Sequence, residues 1–149
     1  MSSSNNNPTG DRRGGLRILI IEDGADSAQT MAILLRLYGH QVSISTDGPA
    51  GIEAARKEKP DVLLLDIGLP GMDGHEVARQ ISQSRRKSGD RQRPLPLLIA
   101  VTGFGRESDR RRSAEAGIDL HLLKPVNPTQ LESILRGFQS EIDSEPTAP

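Results

Sequence analysis

The 149-residue sequence predicts an α/β protein in which helices cover both faces of a parallel β-sheet. Five short runs rich in Val, Ile and Leu alternate with segments whose apolar residues recur at steps of three and four. Two of these runs, Asp61–Ile67 and Leu95–Val101, are almost continuously apolar, which is typical of strands buried on both faces. Strands joined through helices pair in parallel, so we expect a single five-stranded sheet with five helices.

The composition limits the function classes. A formal net charge of -1 gives no electrostatic reason to expect nucleic acid or membrane partners, and aromatic residues make up only 2% of the chain. The absence of cysteine excludes disulfides and thiolate metal sites. No apolar run approaches the length of a membrane span or a signal-peptide core. We therefore expect a cytoplasmic protein with one folded domain and no direct DNA binding.

The first two β-α units follow a short N-terminal tail. Leu16–Ile21 is rich in β-branched residues and predicts the first strand, and the stripe from Ala28 to Tyr38 predicts the first helix. Polar and apolar residues alternate in Gln41–Thr46, which favours an edge strand. A turn at Asp47–Pro49 is expected before a short second helix that ends ahead of Pro60.

The third and fourth strands are the most apolar. After the strand Asp61–Ile67, the spacing of apolar residues predicts a third helix from Gly74 to about Ser84. The basic segment Ser84–Arg93 is interpreted as a solvated loop, because charge runs usually are. The fourth strand, Leu95–Val101, leads into Thr102.

The last units complete the domain. A charged fourth helix is predicted over residues 107–116, stopped by Gly117, and Asp119–Leu123 predicts the fifth strand. Asn127 is the expected N-cap of a fifth helix that ends near Gln139. Residues 1–15 and 140–149 have little to bury and are predicted to be disordered tails around a domain at 16–139.

Polar residues lie at the carboxyl ends of four predicted strands, and parallel strands bring such ends to one edge of a sheet. They are Glu22 with Asp23, Asp66, Thr102 and Lys124. Carboxylates about 4 Å apart repel by roughly 4 kcal/mol at an effective dielectric constant near 20, so such a cluster requires a cation. Oxygen ligands that leave room for phosphate and water suit Mg²⁺. Together with a hydroxyl and an ammonium group, these residues predict that Asp66 forms an aspartyl phosphate.

The motifs at these strand ends resemble those of response regulator receiver domains of two-component systems. They are Ile20-Ile-Glu-Asp23, Leu64-Leu-Asp-Ile-Gly-Leu-Pro-Gly-Met-Asp-Gly74, Ala100-Val-Thr-Gly103 and Leu122-Leu-Lys-Pro125. The resemblance covers about residues 16–139, and the motif sequences are similar to those of receivers attached to hybrid histidine kinases. It implies a flavodoxin-like doubly wound sheet with strand order 2-1-3-4-5, an order that rests on the resemblance and not on the residue pattern.

The resemblance also implies a role for each site residue. Asp66 is the expected phosphoacceptor, and Glu22, Asp23, Asp66 and the Gly68 backbone carbonyl are the expected Mg²⁺ ligands. Lys124 is implied as the phosphate partner, before a cis Pro125. Thr102 is implied as the switch hydroxyl. His121 occupies the position of the usual aromatic second switch residue, and a strand histidine without a special role is the competing interpretation.

The implied partners are a histidine kinase or histidine phosphotransfer protein as phosphodonor. The face formed by the fourth helix, fifth strand and fifth helix is expected to bind a downstream protein, because the residues after the fifth helix are too few for an effector domain. A second copy of the chain is a further candidate partner.

Two other functions remain open. One is a phosphorylation-independent adaptor, and the other is an aspartyl-phosphate hydrolase, although hydrolases of that kind have an Asp-x-Asp motif where this chain has Glu22-Asp23. As a receiver, the chain would catalyse only its own phosphorylation and dephosphorylation.

Overall fold

The computed structural model describes residues 15–68, 73–87, 96–103, 111 and 114–144. The strands and helices, in chain order, are β1 (Arg17–Ile21), α1 (Ala25–Leu37), β2 (Gln41–Ser45), α2 (Gly48–Glu58), β3 (Val62–Asp66), α3 (Gly74–Lys87), β4 (Leu97–Thr102), α4 (described at residues 111 and 114–116), β5 (Leu120–Leu123) and α5 (Pro128–Ser144). None of the helices in these ranges is both long enough and apolar enough to cross a membrane.

The five strands form one parallel sheet in the order β2-β1-β3-β4-β5, which confirms the predicted doubly wound fold. β1 lies between β2 and β3, and the register pairs Ile21 with Leu65. β3 pairs in turn with β4, where Asp66 lies opposite Val101. The strand ends that carry the predicted site residues are therefore neighbours at one edge of the sheet.

Alternation along the central strands divides the core between the two faces of the sheet. In β3, Leu63 and Leu65 pack against α2, α3 and the described part of α4, whereas Val62 and Leu64 pack against α1 and α5. All five residues of β3 are buried. β3 thus has no solvated face, as its continuous apolar pattern predicts.

The strand bounds differ from the predictions by one or two residues, and three differences at helices are larger. α5 continues to Ser144 instead of ending near Gln139, because Ile142 extends the apolar stripe and packs against the core beneath α5. α3 continues to Lys87, so the basic segment begins inside a helix, and residues 88–93 lie outside the described ranges. The predicted turn at Asp47–Pro49 is the start of α2, where the Asp47 carboxylate accepts the Ala50 N–H at 2.8 Å as an N-cap.

Two other helix-end predictions are confirmed, whereas the predicted start of the fourth helix at residue 107 lies outside the described residues. The Asn127 side chain accepts the backbone N–H groups of Thr129 at 2.9 Å and Gln130 at 3.2 Å, as an N-cap does. Gly117 ends the helical residues 114–116 with a φ of +94°, in the left-handed region that glycine adopts without steric cost.

His40, for which the sequence indicates no role, is a buried structural residue. Its Nδ1 accepts the backbone N–H of Leu16 at 3.0 Å, which places the proton of the neutral ring on Nε2. That nitrogen lies 3.6 Å from Oε1 of Glu132 on α5, and neither atom has a hydrogen-bond partner. His40 therefore accepts a hydrogen bond from the residue before β1 and lies against α5. Both contacts join residues that are far apart in the sequence.

Candidate functional site

Three carboxylates converge at the carboxyl edge of the sheet. Glu22 and Asp23 follow β1, and Asp66 is the last residue of the adjacent strand β3. One ligand oxygen from each lies within 4.8 Å of the others. The structure thus brings together the three acids that the sequence singles out as metal ligands.

The Asp66 carboxylate is buried and held in one orientation. Only 5% of its side chain is exposed, and its Oδ1 accepts the backbone N–H of Gly68 at 2.9 Å. The ammonium nitrogen of Lys124 lies 3.2 Å from the same oxygen. Oδ1 of Asp66 therefore has one backbone donor and one ammonium group within contact distance.

Glu22 shows the electrostatic effect of this convergence. Burial raises the pKa of its carboxyl above the ordinary value of 4.5, and the charge of Asp66 raises it further. The backbone N–H of Gly24, which donates to Oε2 of Glu22 at 3.0 Å, and the charge of Lys124 both lower this pKa. The net shift of the Glu22 pKa is upward, so a cation in addition to Lys124 would stabilise the ionised form of Glu22.

The donor set fits a magnesium ion. All three acidic ligands are carboxylates, hard oxygen donors that Mg²⁺ prefers to nitrogen or sulfur. Lys124 offsets only part of their charge, because three carboxylates and one ammonium group leave a formal charge of -2. A divalent cation would neutralise that remainder. The Gly68 N–H lies within hydrogen-bond distance of Asp66, which puts this residue beside the acids.

The predicted switch residues lie on the two strands beyond β3. Thr102 ends β4 one position after Val101, the register partner of Asp66, and its backbone carbonyl accepts the Lys124 N–H at 2.9 Å. The Lys124–Pro125 peptide bond is cis, as the resemblance implies. His121 lies further from the acids, opposite Ala100, and alternation places its side chain on the face away from the buried Leu122.

A cavity of about 660 Å³ opens beside the acids, between α1 and the connection from β5 to α5. Its lining includes Glu22, Asp66 and Lys124 as well as the apolar side chains of Met31 and Leu34. There is therefore space next to the Asp66 carboxylate for a phosphoryl group and the group that carries it.

One residue at the site is absent from the sequence predictions. Gly24, which follows the acidic pair directly, donates its N–H to Glu22. The signal that could have identified it is a glycine at the expected start of a helix, where a polar N-cap is usual.

Comparison with known proteins agrees with this geometry. The family model described as the response regulator receiver domain matches residues 18–136. Protein PilH of Pseudomonas aeruginosa is 35% identical over 115 residues, which cover 77% of this chain and 90% of PilH. The DNA-binding response regulator MtrA of Mycobacterium tuberculosis is 35% identical over 130 residues, or 87% of this chain and 53% of MtrA. This chain thus spans about half the length of MtrA.

Solved structures show the same similarity. The crystal structure of a CheY-like response regulator receiver domain protein from Methanospirillum hungatei superposes with a TM-score of 0.76 at 28% identity, covering 87% of this chain and 98% of that one. The receiver domain of the sensor histidine kinase PA1611 from Pseudomonas aeruginosa has a TM-score of 0.71 at 28% identity, covering 85% and 98%. In that crystal structure a magnesium ion is coordinated in the active site cleft.

Proposed function

Because this chain belongs to the response regulator receiver domains, phosphoacceptors of two-component systems, we propose that Asp66 is the residue that accepts the phosphoryl group. Receiver domains take this group from histidine kinases. The observation that carries the assignment is the position of Asp66, which is buried, lies among the acids and has the Lys124 ammonium 3.2 Å from its Oδ1. The donor is a histidine kinase or a histidine phosphotransfer protein.

In the proposed transfer, a carboxylate oxygen of Asp66 attacks phosphorus as the P–N bond of the donor phosphohistidine breaks. The bonding electron pair leaves with the imidazole nitrogen, which takes up a proton. A Mg²⁺ ion held by the acids would screen the negative charge of the phosphoryl group from that of the Asp66 carboxylate.

Groups at the site are proposed to bind the magnesium ion and the phosphoryl group. Glu22, Asp23, Asp66 and the Gly68 carbonyl are proposed as the magnesium ligands. The Lys124 ammonium, which already contacts Asp66, is placed to move to a phosphoryl oxygen and stabilise the charge that accumulates there. The Thr102 hydroxyl is proposed as a further donor to the phosphoryl group.

The output is proposed to be a population shift on the surface formed by α4, β5 and α5. The acyl phosphate carries nearly two negative charges where the free carboxylate carried one, which would draw Lys124 and Thr102 toward it. β5, which follows β4 in the sheet order and leads to Lys124, exposes Leu120 and Leu123 at 37% and 56%. These side chains suit contact with a downstream protein, and His121 between them is proposed to respond to Thr102.

The test is phosphorylation by phosphoramidate, a small donor with the P–N bond of phosphohistidine, followed by mass spectrometry to locate the acyl phosphate. We expect one phosphoryl group on Asp66, lost in Asp66→Asn or after chelation of Mg²⁺. Asp47→Asn is the matched control, because asparagine also serves as an N-cap and Asp47 lies outside the site. Labelling that persists in Asp66→Asn would refute the assignment, and sustained turnover of a phosphate monoester would favour a hydrolase.

A further inference from the structure

Gly24 is the N-cap of α1, and it has no side chain with which to cap the helix. Its carbonyl accepts the Ala28 N–H at 2.9 Å, which is the first hydrogen bond of the helix. Its own N–H donates to Oε2 of Glu22 at 3.0 Å. The connection between β1 and α1 therefore uses its backbone to hold a carboxylate of the acidic cluster.

The backbone conformation does not explain why this residue is glycine. Gly24 has φ -79° and ψ 107°, which any amino acid can adopt. The space around it does offer an explanation, because a Cβ atom at Gly24 would lie 3.0 Å from Oε2 of Glu22. That separation is shorter than ordinary contacts between carbon and oxygen, so the carboxylate would have to move by a few tenths of an ångström.

We propose that Gly24 is a positioning residue for metal binding, whose missing side chain lets the Glu22 carboxylate lie against the backbone N–H at residue 24. This inference rests on the proposed function, since it requires Glu22 to be a magnesium ligand. The carboxylate is then held by the N–H, and a Cβ at residue 24 would stand 3.0 Å from its Oε2 and 3.6 Å from the Ser27 hydroxyl oxygen. Asp23, the other acid of this connection, is exposed and has greater freedom to adjust.

Magnesium geometry makes a displacement of this size measurable. Mg²⁺ requires nearly octahedral coordination with oxygen distances of about 2.0–2.1 Å, so it tolerates misplaced ligands poorly. Changes in groups that orient a metal ligand typically lower affinity about 10- to 100-fold. Because only one of several ligands moves here, we expect Gly24→Ala to weaken Mg²⁺ binding by about tenfold, at the lower end of that range.

The experiment measures Mg²⁺ affinity by titration calorimetry and the rate of phosphorylation by phosphoramidate across Mg²⁺ concentrations. In Gly24→Ala the Mg²⁺ concentration for half-maximal rate should rise by about tenfold, while the rate at saturating Mg²⁺ stays within about twofold of wild type. Gly137→Ala is the matched control, because Gly137 lies in α5 with nothing near its Cβ position. Urea unfolding in chelator verifies that each variant is folded.

A double-mutant cycle with Glu22→Asp separates positioning from a general structural effect. Aspartate is one methylene shorter, so its carboxylate is withdrawn from the Cβ position of residue 24. In that background Gly24→Ala should change Mg²⁺ affinity by less than about twofold, which is a strongly non-additive result. The same loss in both backgrounds, or no loss in the single variant, would overturn the proposal. Failure of the wild-type chain to bind Mg²⁺ or label Asp66 would instead overturn the proposed function.

Discussion

Replacing Glu22 with glutamine should stabilise the metal-free domain while weakening its binding of Mg²⁺. Glutamine matches the neutral form of Glu22, which the raised pKa favours, and its side-chain oxygen can still accept the Gly24 N–H. At the 4.8 Å limit of the cluster, two full charges repel by about 3–4 kcal/mol at an effective dielectric constant near 20. Solvent around the half-buried Glu22 and the charge of the Lys124 ammonium weaken this repulsion. We therefore expect Glu22→Gln to raise the free energy of unfolding of the metal-free domain by about 1–2 kcal/mol.

The pH dependence has a defined sign. Well below pH 4.5, the ordinary pKa of the group, Glu22 is neutral in the folded and unfolded chains, and the substitution should have little effect. As pH rises from 4.5 through the raised pKa, the unfolded chain gives up its Glu22 proton first, because the folded wild-type chain holds that proton more tightly. Wild-type stability therefore falls through that window relative to Glu22→Gln, and the difference stays constant above it.

Magnesium should reduce the stability advantage of Glu22→Gln over wild type. At a Mg²⁺ concentration about 100 times the wild-type Kd, binding adds about 2.7 kcal/mol to wild-type stability, and the variant gains less because it has lost an anionic ligand. The assay is urea unfolding followed by circular dichroism at about pH 3.5 and pH 7, in chelator and in Mg²⁺. Glu53→Gln, which alters an exposed helix carboxylate paired with the exposed Arg56, is the control and should change little. A loss of metal-free stability at pH 7 in Glu22→Gln would refute the reasoning.

Three other substitutions probe the site and its support. Lys124→Gln should slow phosphorylation by phosphoramidate by about a hundredfold at saturating Mg²⁺, because it removes the cation that contacts Asp66; rates equal to wild type would contradict this role. His40→Ala should lower the free energy of unfolding by about 2–4 kcal/mol in urea titrations, since the Leu16 N–H loses its acceptor and a buried ring is removed; a change under about 0.5 kcal/mol would contradict the structural role. Gly117→Ala should cost about 1–3 kcal/mol in the same assay, because alanine is strained at a φ of +94°, and unchanged stability would show that the turn can relax.

Local patterns predict most of the fold. β3 is identifiable because its residues are apolar throughout and turn formers flank it, and Asn127 marks the start of α5 through a hydrogen-bonding preference of its own. The order of the strands, in contrast, comes from family resemblance, since many orders are compatible with five alternating β-α units. The sequence places the end of α5 too early because Ile142 follows three polar residues and its burial depends on the core beneath it.

The site is predictable as a set of residues but not as a geometry. Parallel strands end at one edge, so an acid after β1 and an acid after β3 can be expected to meet if the strands are neighbours. The sequence does not reveal that one oxygen of Asp66 receives both Gly68 and Lys124, nor that Gly24 holds Glu22, because such contacts depend on side-chain orientation. His40 illustrates the same limit, since its partner Leu16 is 24 positions away.

The charge of the acidic cluster links the stability of the domain to cation binding. The pairing of β1 with β3 places Glu22, Asp23 and Asp66 together, so the folded chain carries their repulsion. That repulsion favours Mg²⁺, whose charge equals the formal excess of -2 left by three carboxylates and one ammonium group. Phosphorylation would then return a negative excess to a site that is already close to neutral. Lys124 is a nearby group able to compensate for it. Because the Lys124 N–H donates to the Thr102 carbonyl, we expect a movement of Lys124 to reach the neighbouring ends of β4 and β5.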